Sequence, residues 1–182
     1  MRGGRQPNAR RWSAIWLLAA LILAPANAPA VSEYRLKAAF LLNFGKFVEW
    51  PGPAGVSDPL TICVLGDDPF GSNLDETLAG RTVGSRPVRA RRISETASAR
   101  SCAILFLSRS EAYRISALAA ALKGAPVLLV GERPGFARQG GMINFIETDQ
   151  KIRFEINEAA AKKAGLKISS QLLKLATIVE GR

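Results

Sequence analysis

A chain of 182 residues with 48% hydrophobic side chains buries one proper core and is too short for two comfortable ones. Its formal charge of +10 suggests a nucleic-acid binder until it is divided by position: Arg2, Arg5, Arg10 and Arg11 have no acid among them, and the remainder after residue 30 carries +6. The absence of histidine excludes Ser-His-Asp and Cys-His catalysis, which need an imidazole to take the nucleophile's proton near neutral pH, and with it most zinc sites.

The first thirty residues predict export. Met1 to Arg11 form a positive segment, Trp12 to Ala24 are apolar apart from Ser13, and small residues follow at Ala26, Ala28 and Ala30. That is the pattern of a secretory signal peptide over residues 1–30, cut before Val31. The apolar run is well short of the roughly 20 residues that span a bilayer. A single α/β domain over residues 31–182 is the expected mature protein, in the periplasm.

Ser32 caps a predicted helix from Glu33 to about Val48, where Tyr34, Ala38, Leu41, Leu42 and Gly45 recur at helical spacing, and Pro51 ends it. After Asp58-Pro59, Leu60 to Leu65 is apolar on both faces, as a central strand of a parallel sheet is. The turn Gly66-Asp67-Asp68-Pro69 follows, with Pro69 expected at the first position of a helix reaching Leu78. Pro87 to Ile93 alternates apolar and basic residues like an edge strand, and Arg81, Arg86, Arg89, Arg91 and Arg92 form a basic cluster there. This cluster reads either as a stripe for an anionic partner or as a solvated edge that discourages aggregation; nucleic acid is not an expected partner.

Cys102 to Leu107 is a third apolar strand, a helix capped by Ser108 or Ser110 covers Glu111 to Leu122, and Pro126 to Val130 is a fourth strand. Met142 to Glu147 and Lys151 to Ile156 read as a hairpin around Thr148-Asp149-Gln150. Helices over Glu158 to Ala164, ended by Gly165, and over Ser170 to Ala176 close the chain. The β-α-β rhythm predicts an α/β fold: a mostly parallel sheet flanked by helices on both faces, with a C-terminal hairpin and helices.

Several residues stand out as candidates for chemistry. Cys63 and Cys102, the only cysteines, read first as a disulfide in an exported chain, closing a loop worth about 4 kcal/mol; two separate buried thiols are the alternative. Asp67 and Asp68 sit where a ligand would meet an open α/β sheet, yet the turn lacks both the dinucleotide glycines and a Walker lysine, and ordinary turn and cap roles compete with a ligand rim. Arg153, Glu155 and Asn157 share one face of a strand. They form either an Arg153–Glu155 pair that steadies the hairpin or a contact for a ligand or partner. Trp50, beside Asn43, Lys46 and Glu49, suits an interface if exposed. Phe40, Phe44, Phe47, Leu172 and Leu175 are expected in the core. No metal, cofactor or catalytic residue is expected; a metal-assisted site at Asp67 and Asp68, or an enzyme resting on the carboxylates Asp67, Asp68 and Glu155, is the lesser alternative.

Two stretches, YRLKAAFLLNFGKFVEWP over Tyr34 to Pro51 and GMINFIETDQKIRFEINEAAAKKAGLKISSQLLKLATIV over Gly141 to Val179, joined by ICVLGDDPF at Ile62 to Phe70, resemble the YfiR-type periplasmic proteins. The resemblance runs from Ser32 to Val179. It implies a Rossmann-like domain, often dimeric, whose best-known members bind the sensor region of an inner-membrane diguanylate cyclase and hold it inactive, restraining cyclic-di-GMP signalling and biofilm growth. It also implies binding of small anionic or nucleotide-like ligands, and a disulfide at Cys63 and Cys102. The second cysteine pair of some members is absent here, so redox sensing through that bridge is not expected.

Overall fold

The computed structural model describes Met1 and residues 32–52, 59–148 and 151–181; the leader, the cut before Val31, Asp58 and the Asp149-Gln150 turn lie outside the described residues. Helix α1 (Glu33–Phe47) starts where Ser32 Oγ accepts the Arg35 N–H and runs into a two-residue strand, β1 (Val48–Glu49). Strand β2 (Leu60–Leu65) is followed by helix α2 (Ser72–Leu78), β3 (Thr82–Val83) and β4 (Arg86–Ile93). Strand β5 (Ile104–Leu107) leads through a 3-10 turn at Arg109–Arg114 into helix α3 (Ile115–Ala121) and then β6 (Leu128–Gly131). The hairpin β7 (Ile143–Thr148) and β8 (Lys151–Ile156) precedes α4 (Glu158–Lys163), β9 (Lys167–Ile168), α5 (Ser170–Leu173) and β10 (Thr177–Ile178).

Eight strands form one sheet in the order β10-β8-β7-β6-β5-β2-β4-β3. All neighbours are parallel except the hairpin β7–β8 and the short pair β3–β4. The central strands are buried on both faces, because apolar runs such as Leu60–Leu65 and Ile104–Leu107 leave no polar side to show water. Helix α1 covers one face, where Phe40 and Phe44 pack on Phe145 and Phe154 with ring centroids 5.4 to 6.0 Å apart. Val127, Leu129 and Met142 face the other way, towards α3 and α4. β1 pairs with β9 in a separate antiparallel ribbon that ties the end of α1 to the C-terminal segment.

Cys63 on β2 and Cys102, two residues before β5, are joined in a disulfide with their Cα atoms 5.9 Å apart. The bridge links adjacent strands, since Ile62 pairs with Ile104. Arg91, the register partner of Cys63 on β4, lays its Nη2 3.6 Å from Cys63 Sγ and 3.4 Å from Cys102 Sγ.

The structure departs from the sequence reading at several boundaries. α2 begins at Ser72 and not at Pro69, because Asp68 Oδ1 accepts the Phe70 N–H and holds the chain in a turn until Gly71, at φ +54, releases it. The helix expected over Glu111 to Leu122 is a 3-10 turn as far as Arg114 and α-helical only beyond it; neither Ser108 nor Ser110 caps it, their hydroxyls bonding each other at 2.8 Å. α5 stops at Leu173, and the chain then pairs with β8 through β10, leaving Leu175 73% exposed where a core position was expected. The basic stripe on β4 is largely engaged within the protein: Arg92 bonds Asp68, Asp75 and the Gly71 carbonyl, Arg91 turns to the disulfide, and Arg89 Nε donates to Thr61 Oγ1.

A candidate cleft at the carboxyl ends of β5 to β7

The strand order reverses at β2, which has β4 on one side and β5 on the other. Open α/β sheets usually hold ligands in the crevice at such a point. Here the protein's own atoms fill it. Gly66, at φ +93, brings the turn so close to the segment after β5 that a Cβ on it would lie 2.4 Å from Ser108 Oγ, and the Asp67 N–H donates to Ser110 Oγ at 3.0 Å. Open space lies one step along the sheet instead, in a cleft of about 660 Å³ beyond the carboxyl ends of β5, β6 and β7.

A buried charge cluster borders this cleft. Lys37 stands three residues after Tyr34 and four before Leu41, on the stripe that α1 buries, and its side chain is 3% exposed. Its ammonium lies between the carboxylates of Glu33 and Glu132, bonding both. Glu132 follows β6 directly, and its side chain is 2% exposed. It accepts the Tyr34 hydroxyl at 3.1 Å, and Arg109 Nε lies 3.2 Å from the same oxygen. Lys37 also sits over the Tyr34 ring, 4.7 Å from its centroid. Two carboxylates and two cations cancel formally, as a buried cluster must if it is to persist. Burial, then the charge of Glu132 and the hydrogen bond to it, push the Tyr34 phenol up to about 12.

The cleft wall opposite is β7 and its hairpin partner. Asn144 is fully buried; its Nδ2 donates to Glu155 Oε2 at 3.0 Å, and its Oδ1 has no partner among the described residues. Arg133 and Pro134 complete the rim with Glu147. Neither Arg109 nor Arg133 forms an ion pair with Glu147 or Glu155 among the described residues, so cations and carboxylates share the cleft without closing it.

Of the residues marked in the sequence, Glu155 alone lines this cleft. Arg153 is exposed and forms no ion pair with Glu155 among the described residues. Asn157 is buried; its Oδ1 caps α4 through the Ala160 N–H, and its Nδ2 donates to the Ala137 carbonyl. Asp68 holds Arg92, while the Asp67 side chain stands exposed at the filled crevice. Trp50 is half-buried against the core, with its Nε1 buried and unpaired among the described residues. Lys37, Glu132 and Arg109 escaped the sequence reading. The signal present was Lys37 itself, a lysine on the apolar stripe of an amphipathic helix, where a charged head that does not reach water needs a carboxylate.

The mostly parallel sheet, helices on both faces and a cleft at the strand ends define a Rossmann-like α/β domain. The chain belongs to the YfiR/HmsC-like family, whose pattern matches residues 34–177. Among solved structures it is similar to an ABC domain from Streptococcus pneumonia in complex with L-Trp, at a TM-score of 0.54 and 12% identity, over 78% of this chain and 60% of that one. It is also similar to a conserved domain protein from Vibrio cholerae, at a TM-score of 0.53 and 13% identity, over 81% of this chain and 60% of that one. This chain thus spans about 60% of the length of either structure, and at these identities the likeness is one of fold. No curated protein matches the chain.

Proposed function

We propose that the chain is exported, loses residues 1–30, and works in the periplasm as a regulator that binds the sensor region of an inner-membrane diguanylate cyclase and holds it inactive, lowering cyclic-di-GMP and restraining biofilm formation. The observation that carries this reading is membership of the YfiR/HmsC-like family over nearly the whole mature chain. The buried Cys63–Cys102 bridge fits an oxidising compartment, and no helix among the described residues is long and apolar enough to cross a membrane. On this reading the protein is a regulator and not an enzyme. Arg153 and Asp67, exposed and without side-chain partners among the described residues, are contact candidates, and Trp50 and Glu155 lie part-exposed for the same role. Asp68 and Asn157 support their neighbours. Exposed Leu175 and Ile178, the first just before and the second within the outermost strand β10, favour self-association at that edge.

Deleting the gene is expected to raise cyclic-di-GMP, and the protein is expected to retain a membrane cyclase in a pull-down from solubilised membranes. Unchanged nucleotide levels together with an empty pull-down would refute the reading. The open cleft with its two guanidinium groups favours a second reading, a ligand-binding module serving another envelope sensor or transporter. Ligand binding with no cyclase retained would select it.

A further inference from the structure

The cleft has a wall that a small-molecule pocket does not need. β6 pairs with β7 at Val130–Ile143 and Gly131–Asn144 and then turns away, whereas β7 continues to Thr148 with β8 along its other edge. Phe145 to Thr148 therefore have no strand on their β6 side, and no other backbone hydrogen bond replaces one among the described residues. Successive side chains of a strand point to opposite faces, so the four consecutive residues Asn144 to Glu147 can line one cavity only along their shared edge. The cleft thus occupies the place that the next residues of β6 would fill, with the departing segment after Gly131 as its far wall.

Its charges complete the picture. Arg109 meets Glu132 through Nε and has no second carboxylate partner among the described residues, and its side chain is 67% exposed. Arg133 forms no ion pair there either. An unsatisfied sheet edge beside two guanidinium groups combines two recognition modes, strand addition and carboxylate capture.

We propose that this slot takes the free carboxyl end of an extended peptide. The peptide main chain adds to the β7 edge in continuation of β6, and its terminal carboxylate is held by Arg109 and Arg133. An antiparallel orientation puts the carboxylate at the Asn144 end and a residue about three positions earlier beside Glu147, roughly 10 Å away, where a cationic side chain fits. This inference deepens the ligand-module reading and is independent of any cyclase.

The test uses the exported, disulfide-bonded protein and the probe acetyl-Lys-Val-Ala-Val with a free carboxylate, titrated by calorimetry. Its C-terminal amide is expected to bind at least about tenfold more weakly, the scale of a lost charge-assisted hydrogen bond. Arg133→Gln is expected to lose as much for the acid while melting as the parent does, and methylating the central peptide nitrogen to weaken binding again. The amide resonances of Phe145 to Glu147 are expected to move on titration. Equal affinity for acid and amide, equal affinity for free valine, shifts confined to another surface, or no binding by the folded protein at millimolar probe would each overturn the proposal. A failed titration with cyclic-di-GMP still rising on gene deletion would remove the peptide slot and leave the regulator standing.

Discussion

Replacing Glu132 by glutamine keeps the shape of the side chain and removes the charge on which Lys37, Tyr34 and Arg109 converge. Breaking a buried ion pair from one side costs about 3–5 kcal/mol when the surviving charge is orphaned. Lys37 keeps Glu33, and Arg109 is largely exposed, so the expected loss is at the low end, about 3 kcal/mol. For a domain of this size that corresponds to a fall in Tm of roughly 6–12 °C.

The same substitution carries an optical readout. The chain has two tyrosines, and Tyr113→Phe removes the exposed one, so phenolate absorbance then reports Tyr34 alone. In that background the Tyr34 transition is expected near 12. With Glu132→Gln it falls part of the way towards 10.0, because the charge of Glu132 goes and only a neutral amide oxygen is left to accept the hydroxyl, while burial, the largest cause, stays. The folded phenol holds its proton above the pH at which the unfolded one releases it, so the stability it contributes is complete below pH 10 and is lost between about 10 and 12. The upper bound on that loss is about 3 kcal/mol, reduced by the ring's partial exposure. A variant that melts like the parent and titrates Tyr34 unchanged would refute the buried cluster.

Three further outcomes follow from the packing. Replacing both Cys63 and Cys102 by serine is expected to cost up to about 4 kcal/mol in urea unfolding, through the loop of 39 residues that is no longer closed. Gly66→Ala forces a Cβ within 2.4 Å of Ser108 Oγ at φ +93, and a loss of about 2–4 kcal/mol is expected by thermal melting. Arg91→Met removes a cation beside both sulfurs, which favours thiolate over disulfide, so equilibration with glutathione is expected to show the bridge harder to reduce.

The parts of the fold that were legible in the sequence are those in which local pattern and tertiary role agree. Leu60–Leu65 is apolar on both faces and lies in mid-sheet; Lys151–Ile156 pairs back on β7 in a hairpin; Ser32 and Gly165 end helices as their chemistry demands. What escaped were elements whose existence depends on a distant partner. Val48–Glu49 and Lys167–Ile168 are strands only because each meets the other, and Thr177–Ile178 only because β8 offers an edge. Leu175 looked like a core residue by hydrophobicity, yet helix α5 ends before it. The site was less legible still. Glu132 and Arg109 sit in connections after β6 and β5, 95 and 72 positions from Lys37, and no spacing rule links them. Asp67 and Asp68 stand out in the sequence because they fall at the topological switch point, which two serine hydroxyls and a glycine turn fill.

The cluster and the cleft are coupled through Arg109. An anion entering the slot competes with Glu132 for that guanidinium, and in a buried site such competition is ruinous if the carboxylate is left alone. Glu132 is not left alone: Lys37 and the Tyr34 hydroxyl both remain on it, and Lys37 is shared with only one other carboxylate. Arg109 can thus turn outward without leaving a buried charge unpaired, and it is the most exposed member of the cluster. An occupant that draws it away leaves α1 anchored, whereas loss of Lys37 or Glu132 frees the helix start from the strand ends. A carboxylate ligand should therefore raise the melting temperature of the parent by mass action, and do so less in Arg109→Gln, with the helix content of both unchanged.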